Sequence, residues 1–280
     1  MNGLLKEIKR TLRLHGLSPK RWMGQNFLVD EEVIEKLIDY ANPENDETVL
    51  EIGAGLGFLT RRLAETCDRV VAVEADRRLA RILGANLKRF KNVRIICGDI
   101  FKVRLPEFHK VVSTPPYNIS SKLALWLLRN RGMKLAVLTF QDEFARRLAA
   151  PVGSRDYGRL TVTAYYHAEV KALDKVPKTS FYPSPKVDSR ITLIKPRPPP
   201  FKVQDFNLFS ELVKSLFTQR KRKVRKGIMP FLRSVGLDKE DARELAKSIR
   251  FSEVRVKDLA PEDFGLLSDE LSKKLEDHLL

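Results

Sequence analysis

Glycine recurs at every second position in Glu51-Ile52-Gly53-Ala54-Gly55-Leu56-Gly57, after an apolar run and before a helical pattern. Glycine lets a backbone turn sharply and approach a ligand closely. The helix that follows offers free N–H groups. Glu74 closes the next apolar run, where a carboxylate can accept from ribose hydroxyls. A dinucleotide fingerprint would need glycine at position 58, which is Phe58. The pattern therefore favours a ligand with a ribose and no pyrophosphate. S-adenosylmethionine meets both conditions, with its ribose at Glu74 and its carboxylate tail near Gly53 and Gly55. Asp99, in Cys97-Gly98-Asp99-Ile100, follows a third apolar run and can accept from an adenine amino group. The alternatives are a structural turn for the glycine loop and a cap or turn residue for Asp99.

Ser113-Thr114-Pro115-Pro116-Tyr117-Asn118 suits a different task. An exocyclic base amine is a poor nucleophile because its lone pair is delocalised into the ring. The Thr114 hydroxyl and the Pro115 carbonyl can each accept one of its N–H bonds. That localises the lone pair toward an electrophilic methyl group. The prolines stiffen the loop. Tyr117 can stack on the base, which must leave its own stack to reach such a pocket. A proline turn capped by a core tyrosine is the alternative. Ser113, Ser120 and Ser121 lack a nucleophile-elbow context, so hydrolase chemistry is not expected. Four scattered histidines and two cysteines without a CxxC pair give no metal-ligand spacing, and no metal is expected.

The elements that must position these residues follow from the pattern. Strands are expected at 48–52, 70–74, 93–97, 110–113 and 135–140, with helices at 58–66, 76–90 and 121–130 between them. Strands alternating with helices mean a parallel sheet covered on both faces. Segments 159–168 and 187–195 read as two further strands pairing antiparallel at one edge. Before the sheet, helices are expected at 4–14 and 31–40, the second capped by Asp30. Lys195-Pro196-Arg197-Pro198-Pro199-Pro200 reads as a stiff linker. Beyond it the pattern is helical at 206–218, 222–235, 239–248 and from 268. The expectation is an α/β chain. A Rossmann-like methyltransferase domain spans 1–196, and a small all-helical domain spans 201–280.

With 280 residues and 43% hydrophobic content, the chain can bury a substantial core, which excludes disorder and a disulfide-stapled mini-fold. The formal net charge of +16 favours a polyanionic partner, nucleic acid ahead of an acidic membrane surface. Six basic residues fill the seven positions Arg220 to Lys226 on a helical pattern, which suits phosphate contact; a solvated charge run is the alternative. Arg146, Arg147, Arg155 and Arg159 flank the expected edge strands and can line an RNA approach. No apolar leader or spanning run of about 18 residues occurs, so a cytoplasmic protein with reduced thiols and no membrane partner is expected.

Taken together, these segments resemble, in order, the small-subunit rRNA adenine N6,N6-dimethyltransferases, with the erythromycin-resistance methylases as cousins. Gly24-Gln25-Asn26-Phe27-Leu28 resembles the family's N-terminal cofactor motif. Glu51 to Gly57, Glu74 and Gly98-Asp99 match its cofactor motifs. Pro116-Tyr117-Asn118-Ile119-Ser120-Ser121 matches the body of its catalytic motif. Phe181-Tyr182-Pro183-Ser184-Pro185-Lys186-Val187-Asp188-Ser189 matches its late aromatic-proline motif. Leu216 to Lys221 and Leu259 to Phe264 resemble C-terminal signatures. The resemblance implies that Gln25, Asn26 and Leu28 reach the cofactor and that Phe181 packs on the target adenine opposite Tyr117. It also implies S-adenosylmethionine-dependent dimethylation of adjacent adenines in an immature small-subunit particle by a monomer. The family usually reads Asn-Leu-Pro-Tyr where this chain reads Thr114-Pro115-Pro116-Tyr117, so a hydroxyl replaces an amide. Two rivals follow: an adenine methyltransferase acting on large-subunit rRNA or DNA, and a non-enzymatic rRNA-binding assembly factor retaining the fold.

Overall fold

In the computed structural model, which describes residues 3–130 and 132–279, the valine- and isoleucine-rich runs become strands of one sheet. The chain order begins α1 (Gly3–Leu14), β1 (Phe27–Leu28), α2 (Glu31–Ala41), β2 (Thr48–Ile52), α3 (Phe58–Thr66), β3 (Arg69–Glu74), α4 (Arg77–Asn86) and β4 (Val93–Cys97). It continues with β5 (Lys110–Ser113), α5 (Ser120–Arg129), β6 (Leu135–Gln141), α6 (Asp142–Leu148), α7 (Arg159–His167), β7 (Ala168–Val176), β8 (Phe181–Tyr182) and β9 (Ser189–Pro196). It ends in α8 (Phe206–Thr218), α9 (Val224–Gly227), α10 (Met229–Ser234), α11 (Lys239–Ser248) and α12 (Pro261–Leu279).

The sheet runs β4-β3-β2-β5-β6-β9-β7. Strands β2 to β6 are mutually parallel, and β9 runs antiparallel to β6. Strand order reverses between β2 and β5, which opens a crevice beyond their carboxyl ends. Ser113 ties that point together: Ile52 N donates to its Oγ at 3.3 Å, and the hydroxyl donates to Ile52 O at 2.5 Å. On one face of the sheet, Ile8, Ile34, Leu37 and Leu63 pack over Val49, Val70, Val112 and Val137. Each such aliphatic side chain contributes about 1.5–3 kcal/mol on burial. A second antiparallel pair, β1 with β8, sets Leu28 opposite Phe181 and Phe27 opposite Tyr182.

The described residues up to Ala145, with Glu169–Pro196, form one compact unit; Arg146–Ala168 and the described residues from Arg197 onward form a second. Three expectations change here. Segment 159–168 is the helix α7 instead of a strand. Its β-branched and aromatic composition suits a strand. However, Val162 and Tyr166, one turn apart, are buried in the core of the second unit, and that packing decides the conformation. For the same reason 146–168, expected in the first domain, belongs with the C-terminal helices. The expected helix at 222–235 is broken into α9 and α10. Pro230 sits in the first turn of α10, where its missing N–H costs nothing.

Candidate functional site

One cavity of about 410 Å³ occupies the crevice at the carboxyl ends of β2, β3 and β5. Gln25, Asn26, Leu28, Gly53, Gly55, Glu74, Asp99 and Thr114 all line it. Each reaches it by position: the glycine loop follows β2, Glu74 ends β3, Asp99 follows β4, and Thr114 follows β5.

The glycine loop needs its glycines. Gly53, Gly55 and Gly57 have φ of +77°, +59° and +87°, a region costly to other residues. A Cβ at Gly53 would stand 3.0 Å from Pro116 Cδ, and one at Gly24 (φ +68°) would stand 3.2 Å from Pro116 Cβ. Pro116 is thus clasped between two glycines from separate motifs, which joins the glycine loop to the Thr114 loop.

Glu74 is 6% exposed. Its Oε2 accepts from Gly55 N at 2.8 Å, and its Oε1 accepts from Asp76 N at 2.8 Å. Burial pushes its carboxyl above the ordinary range, against the pull of those two N–H groups. Beside it lies Glu51, wholly buried, whose carboxyl is pushed up to about 8 by burial and by the charge of Glu74. Asp99 Oδ1 accepts from Phe101 N at 3.0 Å, closing a turn. Phe101 in turn lies under the Lys122 ammonium, 4.0 Å from the ring centroid.

The N-terminal segment is held from below. Asp76 caps α4 by accepting from Arg78 N, and it also takes Lys20 Nζ at 2.8 Å and Gln25 Nε2 at 3.3 Å. Burial disfavours its charge, but the Lys20 and Arg78 cations outweigh burial and hold its carboxyl well below the usual carboxylate range. Gln25 Oε1 accepts from Lys20 N at 2.7 Å, so its amide is engaged at both ends. Asn26 Nδ2 donates to Gly24 O at 3.2 Å. Trp22 stands at the rim of the cavity, 76% exposed.

Pro115, Tyr117 and Phe181 do not line the cavity. Pro115 is buried, and its carbonyl takes no backbone N–H among the described residues. Tyr117 hydroxyl bonds to Ser189 Oγ. Phe181 is 4% exposed within the core, with its ring edge-on to Tyr117 at 72° and 6.4 Å between centroids. A base cannot slide between rings so disposed until one of them turns, at a cost of about 0.5–1.5 kcal/mol in lost aromatic contact.

The sequence reading assigned no task to Asp76, Glu51, Ser113 or Ser189. Asp76 alone carried a usable signal, an Asp immediately before a helical pattern. In the second unit the basic run is not a helix face. Arg220 donates to Arg155 O at 2.7 Å and to Ser154 O at 2.8 Å. Lys223 and Arg225 both pair with Glu253, at 2.7 and 2.8 Å. Lys221 and Arg222 are exposed and have no ionic partner among the described residues, and Lys226, also exposed, lies within electrostatic reach of Glu253. Arg146 pairs with Asp156 at 3.3 Å.

The chemistry of the lining selects its ligand. The carboxylates of Glu74 and Asp99 accept from hydroxyls and amines. S-adenosylmethionine, with a ribose diol and two amino groups, offers donors to both. Among the described residues no group of His, Cys, Asp and Glu is placed to hold a metal ion. No described helix is long and apolar enough to cross a membrane.

Residues 17–272 match the ribosomal RNA adenine dimethylase family. The chain is 41% identical over 249 residues to a probable ribosomal RNA small subunit methyltransferase A of Methanosarcina acetivorans, covering 88% of this chain and 91% of that one. It is 40% identical over 263 residues to the protein of the same description from Thermococcus kodakarensis, covering 93% and 92%. Among solved structures it is similar to a dimethyladenosine transferase from Plasmodium falciparum, with TM-score 0.75, 28% identity and coverage of 89% and 98%. It is also similar to the 23S rRNA methyltransferase ErmE, with TM-score 0.68, 29% identity and coverage of 88% and 100%.

Proposed function

The chain belongs to the ribosomal RNA adenine dimethylase family, and on that premise we propose that it dimethylates N6 of adjacent adenines in small-subunit rRNA, acting on an immature particle in the cytoplasm as a monomer. The observation that carries the reading is the shared cavity, where the Glu74 and glycine-loop cradle and the Thr114 loop meet across the Pro116 clasp. The small-subunit target is favoured over the large-subunit rival because the relatives near 40% identity carry that description, against 29% for ErmE.

Each residue then has a task. Glu74 accepts from the ribose hydroxyls, and Asp99 accepts from the adenine amine of the cofactor. Gly53 and Gly55, whose own N–H groups are held by Val73 O and Glu74 Oε2, leave room for its tail, and Asn26 and Leu28 close the wall beside it. Gln25, tied to Lys20 and Asp76, fixes that wall in place. When bound, S-adenosylmethionine supplies an electrophilic methyl group. Thr114 Oγ1 and the Pro115 carbonyl accept the two N–H bonds of the target amine and turn its lone pair outward. Tyr117, anchored by Ser189, and Phe181 hold the base after their edge contact opens. The alkylated amine is acidic enough to lose its proton to water, so no strong base is needed. The hydroxyl of Thr114 has no hydrogen-bond partner among the described residues, which leaves it available for this work.

The test is transfer of labelled methyl groups to immature small-subunit particles, followed by mass spectrometry of the nucleosides. Dimethyladenosine in the small-subunit rRNA is the expected result. Binding to the particles without any transfer would replace this reading with the assembly-factor one.

A further inference from the structure

Trp22 presents its ring to solvent from a backbone that is hydrogen-bonded on both sides. It lies in the single 3-10 turn Arg21–Met23, closed by Met23 N to Lys20 O at 3.1 Å and Gly24 N to Arg21 O at 3.0 Å. Asn118, in the Thr114 loop, donates from Nδ2 to Trp22 O at 3.4 Å. Lys20 is pinned by Asp76 at 2.8 Å and sets its Nζ 5.5 Å from the Trp22 ring centroid. The turn is therefore braced by two parts of the cavity, yet the indole it carries is left uncovered.

An indole is a large apolar surface with a π face, and covering it is favourable. Its neighbours say what covers it. Lys20 and Arg21 flank the ring, Arg21 is exposed with no ionic partner among the described residues, and the chain carries a net charge of +16. A polyanion bearing flat rings matches that setting, and an apolar protein surface does not. Trp22 and Thr114 line the same cavity, so a strand that delivers an adenine to Thr114 brings its next base to the rim.

We propose that Trp22 is a stacking platform for the unpaired base that flanks the target adenine, with Arg21 meeting the adjoining phosphate. The inference rests on the rRNA adenine reading above. It adds a contact that selects single-stranded target sites, because a flanking base still paired in a duplex cannot lie on the indole.

Trp22 and Trp126 are the two tryptophans of the chain, and Trp126 is stacked on Phe108 at 6.0 Å, so Trp126→Phe leaves Trp22 as the sole tryptophan, excited selectively at wavelengths where tyrosine does not absorb. Two probes are titrated: an RNA hairpin with unpaired adjacent adenines in its loop, and the same hairpin with an abasic nucleotide beside the target. The intact hairpin should quench Trp22, and the abasic one should bind about tenfold more weakly without quenching it. In the otherwise native chain, Trp22→Ala should raise KM for RNA about tenfold, a larger change than in kcat. Trp22→Phe should recover most of the loss. Equal quenching and affinity for the two hairpins would overturn the proposal, as would Trp22→Ala with an unaltered KM. Quenching that follows protein concentration without RNA would also overturn it, assigning the ring to a second copy. A native chain that quenches with RNA but transfers no methyl group would count against the proposed function and leave the stacking role standing.

Discussion

Glu74→Ala should separate two tasks that one carboxylate performs. In the protein itself, Glu74 receives N–H bonds from Gly55 and Asp76, both at 2.8 Å. Removing it leaves two buried donors unpaired at about 1–3 kcal/mol each. Part of that is offset, because burial already disfavours the carboxylate. A net loss of about 2–4 kcal/mol in unfolding free energy is expected, measured by urea denaturation without cofactor. In the complex, a charged acceptor on the ribose is worth about 1.5–3 kcal/mol, so affinity should fall roughly ten- to a hundredfold. Titration calorimetry with S-adenosylmethionine reads that loss. A cofactor analogue lacking both ribose hydroxyls distinguishes direct contact from loop distortion. If contact dominates, native chain and variant should bind the analogue within about threefold of each other, because the interaction energy of the pair is already gone. Unchanged affinity for S-adenosylmethionine would refute the ribose assignment. A variant as stable as the native chain would refute the scaffolding one.

Thr114→Ala should lower kcat about ten- to a hundredfold with little change in RNA affinity, since one oriented acceptor is lost where charge builds on nitrogen; Thr114→Asn should hold or raise the rate in single-turnover transfer. Joint replacement of Lys221, Arg222 and Lys226 with Ala should shallow the salt dependence of RNA binding by about two units on a log–log plot, given somewhat under one per phosphate contact, and an unchanged slope would make them a solvated face. Glu51 is held near 8 when folded against an ordinary 4.5, so the folded state binds the extra proton between those values. Its contribution is fully present below about 4.5 and is lost as pH rises through 8; Glu51→Gln should remove roughly 2–3 kcal/mol of the stability decline between pH 6 and 8, seen in paired urea titrations.

What the sequence made legible was local. Four of the five parallel strands announce themselves because they are buried along most of their length and so carry apolar runs, while β4, at the sheet edge, exposes Arg94 and Cys97, and the residues at their carboxyl ends inherit a common rim. Segment 159–168 misleads because a run such as Leu160-Thr161-Val162-Thr163-Ala164-Tyr165-Tyr166 has strand composition, and only contact with the second core turns it into a helix. The seven-residue basic run looked uniform, yet Glu253 and the carbonyls of Ser154 and Arg155 claim three of its cations from far along the chain. The Tyr117–Phe181 pair shows the same limit. Which residues meet can be read from motifs, whereas the 72° between their rings depends on the core around Phe181.

The Pro116 clasp makes the distance between donor and acceptor a property of the backbone. Gly24 and Gly53 act as the two jaws of a gauge, and the proline ring is the shim. A side chain added at either jaw would not hollow the core or strip a charge. It would strain a backbone held at positive φ and press the Thr114 loop away by the few tenths of an ångström that a methyl demands. A measurement that counts successive methyl additions would read that displacement beside any loss of stability, because the second transfer must accommodate a bulkier amine within the same fixed gap.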